Sequence, residues 1–198
     1  MGRRSGVQVG PEQYYAVAMQ LLAEHGPAEL KIATLCARLG VTSGSFYHHF
    51  DGWSGFVRGL LAHWEVEQTA KVVEVTESVT DDPVERLDVL RRFAVSLPHA
   101  AEAAIRNWAA LDPEVGLAQR RVDERRRAAL EDVLAGAVRD RADAARLASL
   151  GMSILVGFQQ IHHPPDPSLL RMHLEDYHVL VLRHVPRPDG GHTIVSRA

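Results

Sequence analysis

Apolar positions recur along most of this chain at helical spacing. In residues 31–50, KIATLCARLGVTSGSFYHHF, Ile32, Leu35, Cys36 and Leu39 stand at i, i+3, i+4 and i+7, one stripe of a short amphipathic helix. Gly40 comes just after them, where a helix end commonly needs a left-handed residue. Thr42 is the N-cap candidate of a second helix, its hydroxyl placed to accept from a free first-turn amide. Val41 and Phe46 hold the positions of a hydrophobic staple, and Phe46 and Phe50 share the inward face. Ser43, Gly44, Ser45, Tyr47 and His48 are left to point elsewhere. They form a surface of small and hydrogen-bonding groups that suits the major groove of DNA. The pattern predicts a helix-turn-helix.

Other helices follow from the same periodicity. Tyr14, Ala18, Leu21 and Leu22 give an apolar face to a first helix that opens at Pro11 and covers the helix-turn-helix pair. A long helix over 53–75 carries Phe56, Val57, Leu60, Leu61 and Trp64, and connects this part to everything after it. Asp82-Pro83, Asp112-Pro113 and Asp166-Pro167 each supply an N-cap and a first-turn proline, with capping-box spacing from Asp82 to Glu85. Pro98 interrupts the 83–97 pattern, and Gly136 is the expected end of an arginine-rich helix over 113–135. No alternating strand pattern emerges, so the fold class is all-α. In the last two helices Leu147, Leu150, Ile154, Phe158 and Ile161 form one stripe, and Leu170, Leu174, Tyr177, Val181 and His184 another. Such stripes suit helices packed at about 20°. They describe an ordinary intrasubunit core equally with a four-helix bundle between two copies. Residues 1–10 and 186–198 carry too few regularly spaced apolar groups to pack and are expected to be flexible tails.

Composition narrows the function without deciding it. The 198 residues, 46% hydrophobic, suffice for one larger domain or two small ones sharing a core. A net charge of −3 gives no global field that attracts nucleic acid. Within residues 1–60, however, Arg3, Arg4, Lys31, Arg38 and Arg58 outnumber Glu12, Glu24, Glu29 and Asp51, leaving +1 there and −4 in the remainder. The single cysteine, Cys36, excludes an intramolecular disulfide, fits a cytoplasmic protein, and reads as a small buried hydrophobe. Neither a signal sequence nor an apolar run of about eighteen residues is present, so membrane spanning is not expected. Six of the eleven histidines lie at 162, 163, 173, 178, 184 and 192, but no pair within a helix has the i, i+4 spacing of metal ligands. No metal or other cofactor is expected. Phosphate-loop, nucleophile-elbow and His-Glu-x-x-His patterns are absent, so the chain does not read as an enzyme. Asp123, Arg126 and Arg127, at i, i+3 and i+4, read as a solvated charged face.

The segment GVTSGSFYHHF at 40–50 resembles the end of the DNA-binding domain of TetR-like transcriptional repressors, whose recognition helix closes on a hydrophobic-Tyr-x-His-Phe pattern. IRNWAALDPEV at 105–115, followed by RRVDERR at 120–126, is similar to the ligand-domain signature of one branch of that family. Lys31 stands where a threonine is usual, and Trp53 where a lysine commonly follows the phenylalanine by three. The resemblance implies a three-helix DNA-binding domain over 11–52 and a ligand-binding and dimerisation domain over 53–185. Ser43, Ser45 and His48 are the candidates for base edges, Gly44 for close backbone approach, and Lys31 for phosphate, with Thr42 at the helix start. Tyr47 and His49 are phosphate candidates carried over from matching family positions; the bland alternative is that they cap the packing. An effector pocket is expected among Trp64, Phe93, His99, Met152, Phe158, Gln159 and His162, with Trp108 the weakest candidate. Leu147, Ile154, Phe158, Leu170, Leu174, Tyr177 and Val181 are the expected dimer interface. The implied partners are double-stranded operator DNA, a small-molecule effector and a second copy of the chain. From another class, the alternative is a helical ligand-binding or interaction module on the same fold with weak DNA affinity.

Overall fold

The computed structural model describes residues 9–77 and 81–186, and among these every regular element is helical. The order is α1 (Pro11–His25), a 3-10 turn (Pro27–Glu29), α2 (Ile32–Leu39), α3 (Ser43–His49), α4 (Gly52–Glu77), α5 (Pro83–Ser96), α6 (His99–Ala109), α7 (Pro113–Ala137), α8 (Arg141–Ile161) and α9 (Pro167–Leu182). The tails expected at 1–10 and 186–198 lie almost wholly outside the described residues; Val9 packs partly against the core.

Local chemistry accounts for most boundaries. The carboxylates of Asp82, Asp112 and Asp166 each accept from the amide two residues on, at 2.9 Å, ahead of a proline that lacks the first amide. Asp140 caps α8 in the same way without a proline. Gly40 ends α2 at φ 66° and ψ 30°, the left-handed conformation that costs a residue with a Cβ but not glycine. Two expectations are corrected here. Thr42 is the N-cap residue of α3, but its side chain caps no amide; the first turn closes through Ser45 N–H and the Thr42 carbonyl instead. Gly136 lies inside α7, which runs on to Ala137, because the exposed backbone there continues helical until Val138 turns extended.

Three apolar clusters hold the helices together. The first joins Tyr14, Leu21, Leu35, Phe46, Phe56 and Trp64 of α1–α4 to Ala101 and Ile105 of α6 and to Val115 and Val122 of α7. The helix-turn-helix is therefore packed directly on the body of the molecule. A second cluster joins Leu87 of α5, Leu134 of α7, Leu147 of α8 and Tyr177 and Val181 of α9. The third gathers Leu97, Leu155, Phe158, Leu170 and Leu174. These last two clusters correct the expected interface. Leu147, Leu170, Leu174 and Val181 are sealed inside one subunit, and Tyr177 and Phe158 are also buried. Only Ile154 of the expected set stays half-exposed. The stripes divide: Leu147, Leu170, Leu174 and Val181 turn towards α5 and α7, while Leu150, Ile154 and Ile161 keep to the side shared by α8 and α9.

Candidate DNA-binding helix and effector cavity

Behind α3 stands an aromatic wedge. The Tyr14 ring meets Phe46 and Phe50 edge-on, with centroids 5.8 and 5.3 Å apart, and all three are buried. The Tyr14 hydroxyl donates to Ser45 Oγ at 3.2 Å, fixing the front of α3 to α1. Burial pushes the Tyr14 phenol above its ordinary range, so it remains a neutral donor. Ser45 is consequently half-buried and already engaged, which weakens its candidacy for a base edge. Ser43, Gly44, Tyr47 and His48 are exposed on α3, and Tyr47 leaves 60% of its surface open, an unusual exposure for a tyrosine. His49 is half-buried, 6.1 Å from the Tyr14 ring. Lys31, at the N-cap of α2, pairs in solvent with Glu29 at 3.3 Å. Trp53 does not face outwards as a lysine would: it packs on Phe56, with ring centroids 5.3 Å apart.

A cavity of about 80 Å³ lies between α5, α7, α8 and α9. Phe93 and Met152 line it, as expected. The other proposed liners stand elsewhere. Trp64 is sealed into the first cluster between α4 and its neighbours. Phe158 packs in the third cluster beside the cavity liners Leu97, Leu155 and Leu174 without lining the cavity itself, and its ring lies 5.3 Å from that of His162. His99 and Gln159 belong to a buried polar network.

That network was invisible to helix periodicity. Arg126 on α7 is 7% exposed and grips Glu102 of α6, itself 1% exposed, through Nη1 at 2.9 Å and Nη2 at 2.5 Å. Its Nη2 also donates to Gln68 of α4 at 2.7 Å, and Gln159 of α8 donates to Glu102 at 2.7 Å. Four helices thus meet at one ion pair. Burial holds the His99 imidazole below its ordinary pKa despite its bond to the Val95 carbonyl and the nearby Glu102. The reading of Arg126 as solvated is overturned, because Glu102 at i+3 from His99 sits inside the body facing it. Asp123 likewise turns inward to a two-pronged pair with Arg106 at 2.7 and 2.9 Å, while Arg127 pairs with Glu131. Next to the network, Glu65 of α4 takes Arg121 and Arg125 of α7 at 2.8 and 2.7 Å, and these guanidiniums, Arg121 foremost, hold its carboxyl below the usual range.

A shallow groove between α8 and α9 leaves apolar side chains in solvent. Leu150, Ile154, Gly157 and Ile161 step along its α8 wall, and His173, Asp176 and Leu180 along α9. Ile161 is 74% exposed. Among the described residues no group of three or more His, Cys, Asp or Glu side chains is placed to hold a metal ion, and no helix is long and apolar enough to cross a membrane.

Comparison with known proteins agrees with this architecture. Residues 15–57 match the family model described as bacterial regulatory proteins, tetR family. The whole chain resembles a transcriptional regulator from Rhodococcus (TM-score 0.74, 21% identity, covering 91% of this chain and 100% of that one). It also resembles a transcriptional regulator from Saccharomonospora viridis in complex with choline (0.73, 18%, 89% and 98%) and a TetR-family transcriptional regulator from Streptomyces coelicolor (0.74, 17%, 89% and 95%). No curated protein matches by sequence. The helix-turn-helix thus matches the tetR-family model over residues 15–57, and the chain as a whole shares the fold of these structures.

Proposed function

We propose that this chain is a homodimeric, cytoplasmic repressor that binds a palindromic operator and is released by a small molecule. The observation that carries it is α3 itself. Tyr14, Phe46 and Phe50 brace the helix from behind, while Ser43, Tyr47 and His48 stand free in front. Base edges fall to Ser43 and His48, with Gly44 beside them and Ser45 limited to donating its own hydrogen. Phosphates fall to Tyr47, His49 and Lys31, with Thr42 at the helix start. In this reading residues 11–52 form the DNA-binding part and 53–185 the effector and dimerisation part.

A two-fold partner is required because one recognition helix reads too few base pairs, and two must reach successive major grooves about 34 Å apart. The α8–α9 groove is the surface that supports such a pairing: apolar, exposed and on long helices. The effector site is the cavity at Phe93 and Met152, and α4 is the lever between it and α3.

Fluorescence anisotropy on the DNA upstream of the chain's own gene, against scrambled DNA at two salt concentrations, tests the reading. Specific binding that survives both salts supports it. Loss of both DNAs alike with rising salt would mean charge attraction only, and would favour the helical ligand-binding module instead.

A further inference from the structure

The cavity's lining selects its ligand. Its wall is built from apolar groups such as Leu90, Phe93, Leu130 and Leu155, and no carboxylate lines it. The charged groups that do are Arg91 and Arg126. Both terminal nitrogens of Arg126 are taken by Glu102 and Gln68, but its Nε–H is buried with no acceptor. His178 also lines the cavity, and its Nδ1 is buried without a partner. A guanidinium Nε–H can only donate, and a buried donor without an acceptor is costly, so a ligand that brings an acceptor is favoured.

From this we infer that the effector is a small amphipathic acid, an apolar body that ends in a carboxylate set against Arg126 and His178. The inference rests on the regulator reading for the word effector, and on the cavity alone for the chemistry. A volume of about 80 Å³ holds roughly five to eight water-sized groups, which is the size of a six-carbon acid. A cation of the same size brings no acceptor for the Arg126 Nε–H; both guanidiniums are otherwise paired, Arg126 with Glu102 and Arg91 with Asp88 and Glu175, so the unmet donor makes the selection. Because Arg126 also holds Gln68 of α4, an acid that draws on Arg126 acts on the helix that continues from the DNA-binding domain.

The test is calorimetric titration of the full-length protein with hexanoate and with hexylammonium, alongside the unfolding midpoint. Saturable binding of hexanoate at one site per subunit, at least about tenfold tighter than hexylammonium, is expected. Ala94→Phe and, separately, Met152→Phe fill the cavity from α5 and α8, and each should abolish hexanoate binding while far-UV circular dichroism stays unchanged. Equal binding of the ammonium, no saturable binding of hexanoate, or hexanoate binding undiminished in whichever filled variant folds would overturn the inference. Operator affinity of the ligand-free protein is measured separately. Its absence would unseat the repressor reading and leave the acid site standing, whereas DNA binding without acid binding does the reverse.

Discussion

Arg126 of α7 and Glu102 of α6, twenty-four residues apart and both almost fully buried, form a two-pronged ion pair at the point where α4 and α8 also arrive. A buried pair of this kind contributes less to stability than its length suggests, because both ions are desolvated. Removing one partner is another matter.

Arg126→Met strands a buried carboxylate and should cost about 3–5 kcal/mol in urea unfolding. The double change Arg126→Met with Glu102→Leu should recover most of that loss. A double variant no more stable than the single one would show that the pair is not the unit of stability here.

Tyr47 leads to a prediction about DNA alone. Its side chain is 60% exposed and meets the Phe46 ring edge-on, so Tyr47→Ala should leave the unfolding midpoint and the subunit mass unchanged. Operator affinity should fall by about tenfold or more. An unaltered dissociation constant would remove Tyr47 from the interface.

The groove of α8 and α9 can be probed at Ile161, which is 74% exposed and whose replacement disturbs no core contact in a single subunit. Ile161→Glu should halve the mass measured by light scattering if the dimer forms there, since a buried unpaired carboxylate opposes association. Leu147→Glu, at a fully buried position, should unfold the chain instead.

Acid sensitivity follows from two histidines. Burial, the largest influence on each, lowers the pKa of His99 and of His178 below the ordinary imidazole value of about 6.5. The unfolded chain then binds more protons than the folded one between the two values, so stability is complete above about pH 6.5 and declines as pH falls through that window. Urea midpoints measured from pH 7.5 to 5 should drop, and His99→Gln with His178→Phe should flatten the slope. A flat wild-type profile would contradict the shifts.

The helix-turn-helix was readable because its signals are local: the stripe Ile32, Leu35, Cys36, Leu39, the stop at Gly40, and Phe46 and Phe50 on one face. The Asp-Pro starts were readable for the same reason. What periodicity does not carry is the azimuth of a helix. The α8 and α9 stripes have helical spacing whether Leu147 and Val181 meet a partner subunit or α5 and α7, and here they meet the latter. Arg126 stands in a run of three arginines, 125–127, and only its distant partner Glu102 distinguishes it from Arg125 and Arg127. Long-range partners of that sort leave no trace in spacing.

The first cluster carries a consequence for anyone who would recombine these proteins. Because Tyr14, Leu21 and Trp64 share their packing with Ala101, Ile105, Val115 and Val122, a cut between α3 and α4 severs a continuous interior. A chimera that borrows the reading head of a relative must import the facing sides of α6 and α7 with it, or rebuild them. On the repressor reading proposed above, operator specificity would be exchanged by surface substitutions on α3, and not by transplanting the domain whole.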